Sequence, residues 1–558
     1  MKNCKRILAG ALIFAMGFGV CALNAGEALG AKKPKLSKKS VTVKVGKKKT
    51  IQVKGIKKNK IKKISVSTNK KKIVAVKKKG KNAFTVQGKK KGNAKVTVKV
   101  FIKKGKKKTL TLKVKVTKDV TLSVAEQTSI KESYQGIFEN FGTCANYVGY
   151  GNKAKQLQTP EIVEFIKKHY NSITLENEMK PEAILTKDTL KVEDAKAKGY
   201  LIPDSYKEST VPALNFDVVD KTLAFCHENQ IRLRAHTLVW HSQTPALFFY
   251  SEYDTSKSIL KDTAQMDARM EFYITNVMHH VMDQEKTLNG NPGSIVYAWD
   301  VVNEYLHHSK AMDNGNWVDV YGEQKKQPTY VKKAYEIAYN VLKEYNATDK
   351  VALVFNDYNT YDEVDDIIEV VKYINEGEEA NICSAIGMQA HVDCSYPSVA
   401  KFETAVKKFM ETGLEVQITE LDVTINFVNA SAGQTAADQA KYVSNLMTML
   451  VKTQKERDTK VSPKGITGIT IWGLYDDCSW RATNKPLFFS SGITKPKASY
   501  FALIQASGNE ASATASTTPS TTPSASPSAL PSATSSASTG TEASTVPGET
   551  ASATPATA

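Results

Sequence analysis

Tyr297-Ala-Trp-Asp-Val-Val-Asn-Glu304 decides how this chain is read. Ser294 to Val302 is an apolar run of strand length with β-branched residues, the pattern of a buried strand. It ends abruptly in two polar side chains, Asn303 and Glu304. A carboxylate at the C-terminal end of a buried strand stands where a parallel α/β barrel places its chemistry. A second stretch repeats the design, Leu414-Glu-Val-Gln-Ile-Thr followed by Glu420-Leu-Asp422. Two carboxyl groups on two strand ends are the least equipment needed to cleave a bond between sugars.

Outward from these motifs, strand-like and helix-like runs alternate. Strand candidates begin near Phe138, Asn171, Ile231, Ser294, Lys350, Ser384, Leu414 and Gly465. Amphipathic segments fall between them at Thr159–Tyr170, Asn215–Gln230, Asp262–Gln284, Thr329–Asn346, Asp362–Glu378, Pro397–Thr412 and Thr435–Glu456, and Lys495–Ser507 closes the series. Eight such units make a closed parallel (β/α)8 TIM barrel the economical α/β fold, with Glu304 on strand four and Glu420 on strand seven. The other strand ends are polar too. They carry Glu176, Asn177 and Lys180; then His236, Trp240 and Gln243; then Asn356-Asp-Tyr358; then Gln389 and His391; and finally Trp472, with Trp480 on the loop beyond. A lone histidine or tryptophan is usually structural, but their coincidence at one end of successive strands argues for a site. The doubled histidines at 279–280 and 307–308 lack that context and read as surface or structural residues.

Trp299-Asp-Val-Val-Asn-Glu304 and Ile418-Thr-Glu-Leu-Asp422 resemble the acid/base and nucleophile motifs of glycoside hydrolase family 10, the endo-β-1,4-xylanases. The resemblance covers about Val120 to Ala506. It implies cleavage with retention, Glu304 acting as acid/base and Glu420 as nucleophile, without metal or cofactor. It implies that His391 and Asp422 orient the nucleophile and that Asn303 bonds the sugar 2-hydroxyl. Glu176, Asn177, Lys180, His236, Trp240 and Gln243 match glycone-side contacts, Tyr358 and Gln389 are further substrate contacts, and Trp472 and Trp480 offer flat faces to sugar C–H groups. For that chemistry Glu304 must hold its proton at working pH, through desolvation and the nearby Glu420 charge, while Glu420 stays ionised. One departure is Leu185 to Pro212, longer and less regular than the family pattern and near the glycone side. Xylan and xylo-oligosaccharides are the implied substrates. An enzyme for another β-1,4-glucan and a non-catalytic xylan-binding surface protein are the alternatives, and retention of both glutamates argues against the second.

Composition divides the 558-residue chain. Residues 32–118 hold 35 lysines and no acid, whereas 119–558 hold 39 basic and 55 acidic residues. The overall net charge of +21 therefore describes neither part. Residues 1–31 open with Lys2, Lys5 and Arg6, continue with the apolar run Ile7 to Leu23, and end in small residues, as a secretory signal does. An uncleaved anchor is the competing reading of that run. The expected location is outside the cell or at its surface.

In 32–118, valine and isoleucine alternate with lysine and threonine at Ser40–Val45, Thr50–Lys54, Ala94–Val100 and Leu110–Val116, with hairpin turns at Gly46 and Gly105. This predicts a small antiparallel sandwich with lysines outside, resembling bacterial Ig-like group 2 domains. It reads either as a solvated spacer or as an adhesion module for a polyanion, such as wall teichoic acid or glucuronic-acid-substituted xylan. Without arginine it is poorly suited to reading nucleic acid. Residues 507–558 are Ser/Thr/Ala/Pro repeats, expected to be disordered. The five cysteines beyond the leader, Cys144, Cys226, Cys383, Cys394 and Cys478, show no metal-like pairing and read mostly as buried thiols. A monomer is expected.

Overall fold

A computed structural model of the protein describes residues 33–508 apart from 104, 106, 119, 150–154 and 308–316. The leader read in 1–31 and the tail from 509 onward lie outside the described residues.

The barrel strands are β1 (Asn140–Ala145), β2 (Ser172–Leu175), β3 (Arg232–Trp240), β4 (Val296–Asn303), β5 (Ala352–Asp357), β6 (Ala385–Met388), β7 (Glu415–Thr424) and β8 (Ile466–Ile471). Each pairs in parallel with its neighbours, and β8 pairs with β1, so the sheet closes into a barrel. Every residue of β4 and β7 is buried, as expected for strands with helices outside and packed side chains inside. All eight predicted strands are present.

The outer helices are α1 (Pro160–His169), α2 (Asp217–Asn229), α3 (Thr263–Asn289), α4 (Thr329–Glu344), α5 (Val364–Asn375), α6 (Val399–Met410), α7 (Ala436–Glu456) and α8 (Ala498–Ala506). Their buried residues recur at helical spacing; α5 buries Ile367, Val370, Val371 and Ile374. Capping chemistry sets the starts. Asp262 caps α3, Ser398 caps α6, and Thr435 with Asp438 forms a reciprocal capping box on α7. The barrel interior carries a buried polar knot. Arg234 on β3 clasps Asp300 on β4 through both guanidinium ends and reaches Gln417 on β7 at 3.1 Å.

The stretch expected to be irregular is ordered. Leu185–Lys191 and Thr210–Leu214 pair antiparallel, with a short helix, Val192–Ala197, between them. Ala195, Tyr206 and Val211 pack on Ala268 and Phe272 of α3, and Arg269 ion-pairs with Glu208. The insertion is thus docked on the outside of α3.

Residues 33–118 form two four-stranded sheets. One has the order Lys35–Leu36, Lys48–Lys54, Ala83–Gly88, Val74–Lys79. The other has the order Ser40–Lys44, Lys107–Thr117, Gly92–Ile102, Ile61–Thr68. Sixteen buried apolar residues, Phe84 and Val98 among them, form a core separate from the barrel's. Two expectations are corrected. Ser40–Lys44 pairs with Lys107–Thr117 in parallel, so the module is not wholly antiparallel. The Gly46 turn is not a hairpin, because the strands on its two sides belong to different sheets. Period-two alternation marks strands but carries no information on which strand pairs with which. None of the five described cysteines forms a disulfide, and of these only Cys394 is partly exposed. Among the described residues no helix is long and apolar enough to cross a membrane.

Candidate active site

The strand ends converge at the C-terminal mouth of the barrel. β4 stops at Asn303, and Glu304 then adopts a left-handed backbone, φ 58°. This conformation costs an L-residue about 1–2 kcal/mol. Here the backbone hydrogen bond from Glu304 N to Asn356 O, 2.8 Å, helps to hold it. Gln243 and Ala390, at or next to site residues, also have positive φ, 44° and 61°.

Glu304 Oε1 accepts from Gln389 Nε2 at 2.9 Å and Oε2 from Trp240 Nε1 at 2.9 Å. Burial pushes its pKa up to about 7 despite those two donors, and the charges of Asp357 and Glu420 add to the rise. Glu420, near the C-terminal end of β7, is 4 % exposed. Its Oε1 accepts from Asn356 Nδ2 at 2.9 Å, and its Oε2 lies 3.1 Å from His391 Nε2. Burial alone would raise its pKa. The hydrogen bond from His391 and that ring's charge, with the Asn356 contact, outweigh it and bring the group down to about 2. His391 is itself raised to about 9, because Asp422 and Glu420 overcome its burial, and its Nδ1 lies 3.0 Å from Asp422 Oδ2. Two carboxyls at one mouth are therefore held in opposite protonation states below neutral pH.

Asn303 Oδ1 links the two halves. It accepts from Asn356 Nδ2 at 2.8 Å and from Gln389 Nε2 at 3.2 Å, the same two amides that hold Glu420 and Glu304. Thr419 Oγ1 donates to Asn356 Oδ1 at 2.6 Å and so fixes that amide's orientation. To one side, Lys180 Nζ donates to Gln243 Oε1 at 2.7 Å and Asn177 Oδ1 at 3.1 Å, and sits 4.6 Å above the Trp240 ring. Glu176 accepts from Asn146 Nδ2 at 3.0 Å. His236 Nδ1 is 2.8 Å from Asp300, and its ring meets the edge of Trp472 at 5.6 Å. Trp480 donates Nε1 to Asp422 at 3.1 Å, yet is 51 % exposed, so its ring is presented to solvent beside the site. Most of the residues singled out in the sequence fall in this set; Glu176 is held by Asn146, and Tyr358 stacks on His307 at the end of β5.

The sequence reading missed three members. Asn356 touches both Asn303 and Glu420, although only its position at a polar strand end marked it. Arg481, next to Trp480, lies 3.6 Å from Asp422 and over the Trp480 ring at 4.5 Å. His307 is not a surface histidine. Its Nδ1 lies 2.6 Å from Asp357 and its ring stacks on Tyr358 at 3.7 Å. His308 lies outside the described residues. By contrast, His279 and His280 are tied to Tyr345 and Asp220 on the outer helices, as a structural role requires. Among the described residues no three His, Cys, Asp or Glu side chains are grouped as metal ligands.

A closed parallel barrel whose mouth sets a protonated carboxyl beside an ionised one defines the class: a glycoside hydrolase. The chain belongs to glycosyl hydrolase family 10, whose family model matches residues 129–506. It is 40% identical over 364 residues to endo-1,4-beta-xylanase A of Butyrivibrio fibrisolvens, covering 64% of this chain and 82% of that protein. It is 32% identical over 365 residues to endo-1,4-beta-xylanase A of Thermotoga maritima, covering 64% of this chain but 29% of that longer protein. Among solved structures, an intracellular xylanase from Thermoanaerobacterium saccharolyticum superposes with a TM-score of 0.51 at 25% identity, over 68% of this chain and 98% of that one. A bacterial Ig-like domain containing xylanase from termite gut superposes with a TM-score of 0.52 at 20% identity, over 84% of this chain and 98% of that one.

Proposed function

We propose that the protein is an endo-1,4-β-xylanase that hydrolyses internal β-1,4-xylosidic bonds with retention. The observation that carries this is the network around Asn303, which joins a proton-holding Glu304 to an ionised Glu420. In the first step Glu420 attacks the anomeric carbon while Glu304 gives its proton to the departing glycosidic oxygen. The bond to the leaving sugar breaks and a glycosyl-enzyme forms on Glu420. In the second step Glu304, now ionised, takes a proton from water, which attacks the same carbon and releases Glu420. His391 and Asp422 keep Glu420 ionised and oriented. The 40% identity to a xylanase over most of that protein's length supports xylan over other β-1,4-glucans.

Secretion is part of the proposal, supported by the basic, apolar and small-residue order of 1–31. So is an Ig-like identity for 33–118, supported by its two packed four-stranded sheets. The test is reducing-sugar release from xylan and carboxymethyl-cellulose in parallel, with NMR of the first product. Release from xylan with the β-anomer appearing first is expected. An α-anomer first would remove the covalent intermediate, and equal release from cellulose would turn the assignment to a glucanase.

A further inference from the structure

The lysine-rich module carries an unusual electrostatic arrangement. All 32 lysines described between Lys33 and Lys118 are exposed, and residues 32–118 contain no Asp or Glu to neutralise them. The core is apolar and complete without them. On the sheet containing Lys107–Thr117, alternation turns Lys63, Lys95, Lys99, Lys107, Lys113 and Lys115 outward. Lys95 stands directly opposite Lys113 on the neighbouring strand. Like charges placed directly across strands destabilise a sheet. Nothing within the module's own sequence offsets this repulsion, so the counter-charge must come from outside.

The same face says what kind. Between its lysines stand hydroxyl rows: Ser40 beside Lys113, Thr42 beside Lys115, Ser65 beside Lys99, and Thr97 beside Thr111. Outward lysines two residues apart lie about 7 Å apart along a strand, and paired ones about 5 Å across it. That density suits a chain with a charge on every short repeat and would leave most lysines unmatched on a sparsely carboxylated xylan. Lysine binds phosphate as a compact point charge, and without arginine the face has no bidentate fork for either phosphate or carboxylate, so the spacing of charge selects the polymer. Aromatic residues number only two in 32–118, Phe84 and Phe101, and Phe84 is buried. A stacking platform for unpaired bases is therefore missing. We propose that the outward face of the Ser40–Lys44, Lys107–Thr117, Gly92–Ile102 and Ile61–Thr68 sheet binds a linear polyol-phosphate polymer of the wall teichoic type. The proposal builds on the export reading but is independent of the xylanase assignment, since it places no demand on Glu304 or Glu420.

The test uses the full chain and poly(glycerol phosphate) coupled to beads. Two variants remove equal charge: Lys95, Lys99, Lys113 and Lys115 to Gln on the proposed face, and Lys48, Lys54, Lys77 and Lys79 to Gln on the other sheet. The face variant should lose roughly tenfold or more of its affinity, and wild-type retention should fall steeply from low to high salt, as counterion release requires. The other variant should lose about threefold at most, the share left to the general field. Hydrolysis of neutral xylo-oligosaccharides should be the same in all three proteins, and calorimetry should show the module's own transition retained in each, which reports that the module is folded. Equal loss in both variants would overturn the face assignment. Salt-insensitive retention would overturn phosphate binding altogether. Tighter binding to duplex DNA or to glucuronate-bearing xylan beads would overturn the choice of polymer.

Discussion

Glu304 and Glu420 are chemically identical side chains driven apart by their surroundings. In the proposed mechanism Glu304 works with its proton on. Burial, Asp357 and Glu420 raise its pKa to about 7, so that proton is kept below neutrality and lost as pH rises through that value. The proposed nucleophile Glu420 must be ionised, and at about 2 it stays so over the whole practical range. The kcat/KM profile should therefore have a basic limb near pH 7 and no acidic limb from Glu420 above about pH 3. His391→Asn removes the ring that opposes burial of Glu420. The acidic limb should then climb into the measurable range while the basic limb stays. An unmoved acidic limb would show that His391 does not set the protonation of Glu420. Substitution by charge should also separate the two roles. Glu304→Gln and Glu420→Gln should each cut xylan hydrolysis by about 10³-fold or more. Only the Glu304 variant should recover on an aryl xyloside, whose leaving group needs no proton, with added azide completing the second step. Equal loss on both substrates would overturn the assignment. Both glutamates were legible in the sequence because each comes just after a run that reads as a buried strand. His307 was not, because its partners Asp357 and Tyr358 come from a different strand end, 50 residues away.

At the scale of elements, the barrel depends on buried polar groups that pin one segment to the next. Glu285, in the last turns of α3, accepts from the backbone N–H groups of Ser294, Ile295 and Val296 at 2.8, 3.2 and 2.8 Å. It thereby ties the end of that helix to the start of the strand that delivers Glu304. Glu285→Ala would leave these donors without partners at a site where Glu285 itself is 0% exposed. A loss of about 2–4 kcal/mol is expected, each orphaned buried donor costing about 1–3 kcal/mol. Arg234→Met is expected to cost about 3–5 kcal/mol, because it leaves the buried Asp300 without its two guanidinium bonds and with only the ring of His236 beside its carboxylate. Replacing Arg234 and Asp300 together by apolar residues should cost less than Arg234→Met alone, and denaturant melts of the three proteins decide this. The eight strands could be read because parallel barrel strands are continuous apolar runs. The 185–214 insertion could not, because its hairpin is amphipathic only against Ala268 and Phe272 of α3, some sixty residues further on.

At the scale of the molecule, charge and core divide the chain at the same place. The sandwich has its sixteen-residue apolar core and all 35 lysines of 32–118, while the barrel has its own core and every member of the active site. Composition made this division visible, since a lysine run without a single acid cannot belong to the same balanced surface as the region after it. Strand pairing inside the sandwich was not visible, because its outward positions are mostly lysine, serine and threonine, repeated on every strand, and mark no particular pairing. Separate cores imply separable stability. Phe84 is fully buried at the centre of the sandwich, in the strand Ala83–Gly88. Phe84→Ala should cost about 3–5 kcal/mol, a large share of what so small a domain possesses. Calorimetry of the full chain should then show an early transition belonging to the module, with the barrel's main transition unmoved. Turnover of neutral xylo-oligosaccharides should be unchanged at temperatures between the two transitions, since among the described residues no side chain of 33–118 belongs to the network around Glu304 and Glu420. A barrel transition that shifts with Phe84, or a loss of turnover as the module melts, would mean that the two cores are energetically coupled and that the module supports catalysis directly.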